Sequence, residues 1–326
     1  MRIKLFAVVI ILALLPAAAV AQGKCDRACL EGYVDRYLDA MLAHKVDPGL
    51  FAKNVIFTEN GVRLPFGSEG LWYSMAGKGT YKFYVPDIET QQVAFIGTVK
   101  EGGSRGGNPT NVALALRLKI VNKLITEVEQ LAIRPEQSLF GSGGSSGSSG
   151  SGGRGAGAGG GFGNTADNVE KMGAPHEIFT QAIPEAERAS REELIKTANY
   201  YFSGLQRWDG KGTYPYTDDC VRFENGMMAS PDVKKQFTDG SLRNMGVSRI
   251  RDRRFVAVDR ERGIAFAFAF FDHVSINWTW QLAELFKIEK GKIRRVEAVF
   301  HKCPYGTNSG WSTYEQGISE EYRSIK

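Results

Sequence analysis

Residues 222–226 read Arg222-Phe223-Glu224-Asn225-Gly226, and residues 57–61 read Phe57-Thr58-Glu59-Asn60-Gly61. Each is the end of an apolar run closed by the Asn-Gly turn signal, which marks a strand leaving into a tight turn. The same order continues downstream of both. Leu118-Lys119-Ile120 is matched by Phe286-Lys287-Ile288, and Ile125-Thr126-Glu127-Val128-Glu129 by Ile293-Arg294-Arg295-Val296-Glu297, at a near-constant offset of 165 to 168 residues. One order held at one spacing marks a duplication, and two copies make tandem domains rather than a solenoid.

Working outward, each copy begins with a helix. Leu30, Val34, Tyr37, Leu38, Met41 and Leu42 recur at three- and four-residue steps, as do Leu194, Ala198, Tyr201, Phe202 and Leu205. A first strand (55–58; 221–223) and a short helix (69–75; 231–237) follow, then long strands, predicted in the second copy at 250–258, 264–273, 276–288 and 292–301. Helices first and antiparallel strands after predict an α+β class, each copy a curved antiparallel sheet wrapped around its helices with one end open to a small ligand. Between the copies, Gly141–Gly163 is almost wholly Gly and Ser, the composition of a flexible tether. The expected layout is a first domain over 25–136, a linker over 137–174 and a second domain over 175–326.

Residues 1–21 have the pattern of a secretory signal: Arg2 and Lys4, the apolar stretch Leu5 to Leu15, and Ala19-Val20-Ala21 before Gln22. A secreted or periplasmic location is therefore expected, with no membrane association once the signal is cleaved. The chain has 326 residues, 43% hydrophobic and 24% charged, with a formal charge of +5. So mild a surplus argues against nucleic acid as a partner, which needs clustered basic residues. With 19 Phe, 12 Tyr and 5 Trp to bury, disorder throughout is excluded as well. Export permits disulfides, and four cysteines allow three pairings. Keeping each bridge within one half pairs Cys25 with Cys29 and Cys220 with Cys303. A metal site is the alternative, and a lone C-x3-C without a nearby histidine pair speaks little for it.

The element order resembles the NTF2-like superfamily, the cone fold of ketosteroid isomerase, scytalone dehydratase and the SnoaL-like polyketide cyclases. Glu59-Asn60-Gly61, Ile250-Arg251-Asp252-Arg253-Arg254, Phe271-Asp272-His273 and Pro304-Tyr305-Gly306 are similar to a family of exported tandem NTF2-like proteins known only as a domain of unknown function. The resemblance implies tandem cones without a cofactor. Against ketosteroid isomerase, the oxyanion tyrosine is matched by Tyr37 after Arg36 and by Tyr201 after Tyr200, and the catalytic base by Glu59 and Glu224. The protonated acid on the penultimate strand is matched by Glu284 in the second copy, whereas Leu116 stands there in the first.

A carboxylate inside an apolar cone has its ionised form disfavoured, the condition a general base exploits. Glu224 has Arg222 two residues earlier on the same strand face, so an ion pair competes with that role. Asp272 and His273 close a strand and face opposite sides, so one alone can point inward. Arg251, Arg253 and Arg254 alternate with Asp252 and read as a solvated or ion-paired face. Trp278, Trp280, Leu282 and Glu284 share one face at period two, suiting a flat, apolar or aromatic ligand, although indoles equally fill cores. His301, Tyr305 and Trp311 lie in a tail that the sequence does not place. The expected function is an exported lyase, isomerase or dehydratase, independent of cofactor or metal, acting on a small apolar or aromatic molecule. Glu224 would take a proton, Tyr201 and Glu284 would donate hydrogen bonds, and His273 and Asp272 are further candidates. Trp278, Trp280, Tyr37 and Glu59 would contact substrate. The alternatives are an exported small-molecule-binding protein, or an internal pseudo-dimer of the two copies that serves only as a surface.

Overall fold

The computed structural model describes residues 24–102, 107–135, 165–207 and 214–326. The signal-like segment 1–21 and the Gly/Ser stretch 141–163 lie outside the described residues.

The first copy runs α1 (Arg27–Leu42), β1 (Phe51–Glu59), β2 (Val62–Arg63), α2 (Leu71–Ser74), β3 (Met75–Asp87), β4 (Gln92–Glu101), β5 (Thr110–Val121) and β6 (Leu124–Ile133). After α3 (Thr165–Lys171), the second copy repeats the order. It runs α4 (Arg191–Gln206), β7 (Tyr216–Glu224), β8 (Met227–Ser230), α5 (Val233–Thr238), β9 (Arg249–Asp259), β10 (Ile264–His273), β11 (Trp278–Glu289) and β12 (Lys292–Pro304). A tail adds α6 (Tyr314–Ile318) and β13 (Tyr322–Ser324). Local chemistry starts both long helices: the Asp26 side chain accepts from the Cys29 amide, and Ser190 with Glu193 forms a capping box. The Cys25–Cys29 disulfide spans the entry to α1, with Cα atoms 5.2 Å apart.

The class is mixed α+β, with a six-stranded sheet ordered β2-β1-β6-β5-β4-β3 and a seven-stranded sheet ordered β13-β9-β10-β11-β12-β7-β8. The expectation of wholly antiparallel sheets needs correction, because β1 runs parallel to β6, and β7 to β12. Residue alternation reports which face a strand buries and carries no information on direction, so this was outside its reach. The same pairing overturns the Cys220–Cys303 bridge. Val221 lies beside Arg295, so Cys220 sits near the start of β12, whereas Cys303 lies near its end. At ~3.3 Å per residue that is roughly 25–30 Å. Both thiols are free and buried, and burial pushes that of Cys220 up to about 12.

Each sheet covers its helices with one face and meets the other sheet with the opposite face. On β10, Ala265, Ala267, Ala269 and Phe271 pack with Leu194, Ala198 and Phe202 of α4, while Ile264, Phe266 and Phe268 join a separate core. That core also takes in Tyr81, Phe83 and Val85 of β3, Ala94 and Ile96 of β4, and Leu285 of β11. Small residues therefore let α4 approach the sheet, and large ones fill the space between the two copies. Residues 165–174, read from sequence as part of the linker, include α3, which docks on the first sheet. Ala166 and Val169 enter the shared core, and Glu170 accepts from the Thr80 amide at 2.8 Å.

Charged residues fasten the two copies reciprocally. Arg27, the first residue of α1, clamps Asp259, the last of β9, through hydrogen bonds of 2.8 and 2.9 Å. Arg191, the first residue of α4, pairs with Asp87, the last of β3. Each copy thus offers the other the same helix start and the same strand end, the relation an isologous interface requires. Between the clamps, Arg254 donates to both oxygens of Glu129 at 2.8 and 2.6 Å, and Arg117 reaches Glu129 at 3.3 Å. Removing one clamp, in Arg27→Ala, is expected to lower the melting temperature by a few degrees, read by differential scanning calorimetry. Arg27 is partly exposed, so about 1–2 kcal/mol is at stake rather than the cost of a fully buried pair.

Arg251, Arg253 and Arg254 of β9 are buried, and the ion-paired reading rather than the solvated one holds for Arg251 and Arg254. Asp252 has φ of 49°, and this local kink interrupts the alternation so that Arg251 and Arg254 both leave the helix-covered face. Arg253 points to α4, donating to Asn199, Ser203 and Gln206, and burial lowers its pKa to about 10. The tail straps over the outward arginines. The Gly317 and Thr307 carbonyls accept from Arg251, and the Trp311 indole donates to Thr58 of the first copy at 2.7 Å beneath Arg117.

Candidate active site

Glu224 ends β7, and Glu284 sits on β11, both in register with Ala298 of the intervening β12. The two carboxylates therefore stand in one row across the sheet, one strand apart, and their side chains share the face covered by α4. Arg222, two residues before Glu224, shares that face. Its Nε lies 3.0 Å from Glu224 Oε1, and its Nη1 donates to the Tyr201 hydroxyl at 3.3 Å. The Nε approach lacks hydrogen-bond alignment, so the contact is an ion pair rather than a directed bond. Tyr201 comes down from α4, flanked by Phe202, Phe237 and Phe286.

Glu284 is 2% exposed, and its Oε2 has no hydrogen-bond partner. Burial first, and then the neighbouring Glu224 charge, push its carboxyl well above the usual carboxylate range; Arg222 and a hydrogen bond from Tyr201 pull the other way. The cluster thus holds one guanidinium for two carboxyls, with Glu224 ion-paired and Glu284 the member pushed toward its neutral form. Burial likewise raises Tyr201, so the phenol stays a neutral donor. Tyr216 brings another buried hydroxyl without a partner, and no sequence signal singled it out.

The equivalent place in the first copy is closed. Leu116 stands where Glu284 does and Phe57 where Arg222 does, both fully packed. Tyr37 donates to Gln130 at 2.7 Å and accepts from the Trp72 indole at 3.2 Å, and Gln130 donates to Glu59 at 2.7 Å. Glu59 also accepts from the Leu71 amide at 2.8 Å and Arg134 at 2.8 Å. Every polar group in that chain is answered by protein, so Tyr37 and Glu59 hold α1, α2, β1 and β6 together. Gln130, Trp72 and Arg134 were missed from sequence, since no copy-to-copy match marks them.

At the end of β10 the two adjacent candidates separate as alternation requires. Asp272 turns to the outer face, where it is bound by Arg249, Arg251 and Thr279, so it stands apart from the Glu224–Glu284 cluster. Burial raises its carboxyl, but those three hydrogen bonds outweigh burial and hold it below the ordinary value. His273 turns inward, its ring centroid 4.4 Å from that of Trp280, which stacks on Phe300 at 4.9 Å. Trp278 is directly opposite His273 in the ladder, with Lys302 over its ring at 3.7 Å. His301 leaves on the other face toward Gln281, and burial lowers its pKa to about 4.

Among the described residues no group of three or more His, Cys, Asp or Glu is placed to hold a metal ion, and no helix is long and apolar enough to cross a membrane. Among solved structures the chain is similar to a de novo designed protein with a curved β-sheet, at 17% identity over 35% of this chain and 88% of that one, with a TM-score of 0.26. No curated protein matches. Residues 187–300, the stretch that contains Tyr201, Arg222, Glu224, His273, Trp278, Trp280 and Glu284, match the model of a family described as a domain of unknown function, DUF8021.

Proposed function

We propose that the second domain is an acid–base site of the NTF2-like kind in an exported protein, acting without a cofactor on a small apolar or aromatic carbonyl compound or its alcohol. The observation that carries this reading is the Glu284 carboxyl, buried, raised in pKa and with one oxygen unpartnered beside Tyr201 and the Arg222–Glu224 pair. A neutral carboxylic acid and a neutral phenol side by side are the donors that a developing enolate oxygen needs. Glu224 supplies the carboxylate that takes a proton from carbon, and the Arg222 guanidinium then offsets the negative charge that the step leaves on the enolate. Such a division of labour fits isomerase, dehydratase and other lyase chemistry alike. The first domain, whose homologous groups are mutually satisfied, serves as the partner on which the second is built.

Exchange of carbon-bound protons tests this without knowledge of the net reaction. In D2O, a panel of aryl and alicyclic ketones is followed by NMR for loss of the protons next to the carbonyl. Acceleration by the wild type is expected for at least one ketone, with about 10²–10⁴ of it lost in Glu224→Gln and none in Glu59→Gln. Exchange no faster than in buffer, or exchange indifferent to Glu224→Gln, sinks the reading. The 3.0 Å pairing of Arg222 with Glu224 favours one second reading, a binding protein whose carboxylates stay paired. That reading predicts ligand affinity with no exchange.

A further inference from the structure

His273 and Trp278 stand opposite each other where β10 and β11 meet, and each carries a buried ring nitrogen with no hydrogen-bond partner. Their ring centroids are 6.2 Å apart, close enough for one ligand group to reach both. His273 is 2% exposed. Its Nδ1 lies 3.1 Å from the Phe271 carbonyl, an acceptor, so Nδ1 carries the proton. Burial lowers the histidine pKa and keeps the ring neutral, which makes Nε2 a bare acceptor. The Met245 carbonyl also approaches this ring, but a neutral imidazole has one N–H and cannot answer two carbonyls. Trp278 Nε1, by contrast, is a donor only. Leaving such groups unanswered in the interior is costly, and a complementary ligand relieves that cost.

The pair presents one acceptor and one donor against the flat wall formed by Trp280 and Phe300. A group that donates and accepts through a single atom answers both, and a hydroxyl is that group. We infer that His273 Nε2 and Trp278 Nε1 form a hydroxyl-recognising subsite, so that the ligand of the second domain is a flat, apolar molecule bearing a phenolic or alcoholic OH. The hydroxyl donates to His273 and accepts from Trp278, while its ring lies along Trp280. This rests on the proposed function only in placing the ligand in the second domain.

Isothermal titration of the full chain with 2-naphthol and 2-methoxynaphthalene tests it. The two probes share a ring and an oxygen acceptor, and differ in the donor. The wild type is expected to prefer 2-naphthol about tenfold, the worth of one buried neutral hydrogen bond. In His273→Phe the preference should fall to near unity while binding of the methyl ether persists. In Trp278→Phe both probes should weaken by a similar factor. Binding of neither probe, equal affinities in the wild type, or a preference that survives His273→Phe overturns the inference. Glu224→Gln is expected to keep the preference while losing proton exchange, so failure of the chemistry and failure of the subsite read out separately.

Discussion

Alanine at Glu129 is expected to destabilise the protein by about 3–5 kcal/mol, the cost of removing one partner from a buried ion pair. Glu129 is 4% exposed and accepts from Arg254 through both oxygens and from Arg117 through one. Arg117 keeps Glu127 and Gln92 after the change, each at 2.8 Å. Among the described residues Arg254 keeps Asp252 at 3.3 Å and the Phe268 ring, so a guanidinium that is 2% exposed is left half-answered between the two sheets. Urea unfolding followed by circular dichroism measures the loss. Adding Arg254→Met should recover much of it, because an apolar side chain leaves no buried charge to answer. A loss below about 1 kcal/mol in Glu129→Ala would show that this pair does little to hold the copies together.

Glu284→Leu is expected to act in the opposite direction, stabilising the protein at neutral pH by about 1–3 kcal/mol, the cost of a buried unsatisfied polar group. The first copy already has leucine at the equivalent position, Leu116, fully buried on β5. The gain should depend on pH with a defined sign. The folded protein holds Glu284 well above the usual carboxylate range, so the stability it contributes is full below the unfolded value near 4.5 and is lost as pH rises toward the folded one. Leucine does not titrate. Its advantage over the wild type should therefore be smallest near pH 4 and grow on raising the pH, as seen in melting curves at successive pH values. A difference that stays flat with pH would mean that Glu284 titrates as an exposed carboxylate does. The same variant should lose whatever chemistry the second domain performs, the usual opposition between a destabilised site and a stable fold.

Much of the architecture was legible because periodicity records burial. The three- and four-residue steps of Leu30 to Met41 and of Leu194 to Leu205 marked the buried faces of α1 and α4, and the repeated Glu-Asn-Gly located the end of β1 and of β7. Strand direction was not legible, and the Cys220–Cys303 pairing, which rested on keeping each bridge within one half, fails because β7 runs parallel to β12. Arg251, Arg253 and Arg254 read as a solvated or ion-paired face; Arg251 and Arg254 are ion-paired, all three are buried, and the other copy, α4 and the tail supply partners at sequence separations that no local pattern reports. In the candidate site, Tyr201, Glu224 and Glu284 lie together around Arg222, which no resemblance marked as part of it. Asp272 separates from them because adjacent strand residues must part. Gln130 and Trp72 escaped notice because an amide and an indole become informative only once seen to bridge Tyr37 and Glu59.

The reciprocal clamps, Arg27 on Asp259 and Arg191 on Asp87, are what two identical subunits would make around a twofold axis. In a true homodimer every substitution appears twice, so a costly carboxyl in one interior is a costly carboxyl in both. Joining the copies on one chain removes that constraint. The clamps can stay matched while the interiors part company, with Leu116 and a closed hydrogen-bond chain in one half and Glu284 with its unanswered oxygen in the other. A single chain can then keep one half as ballast and let the other carry the cost of an unanswered buried carboxyl.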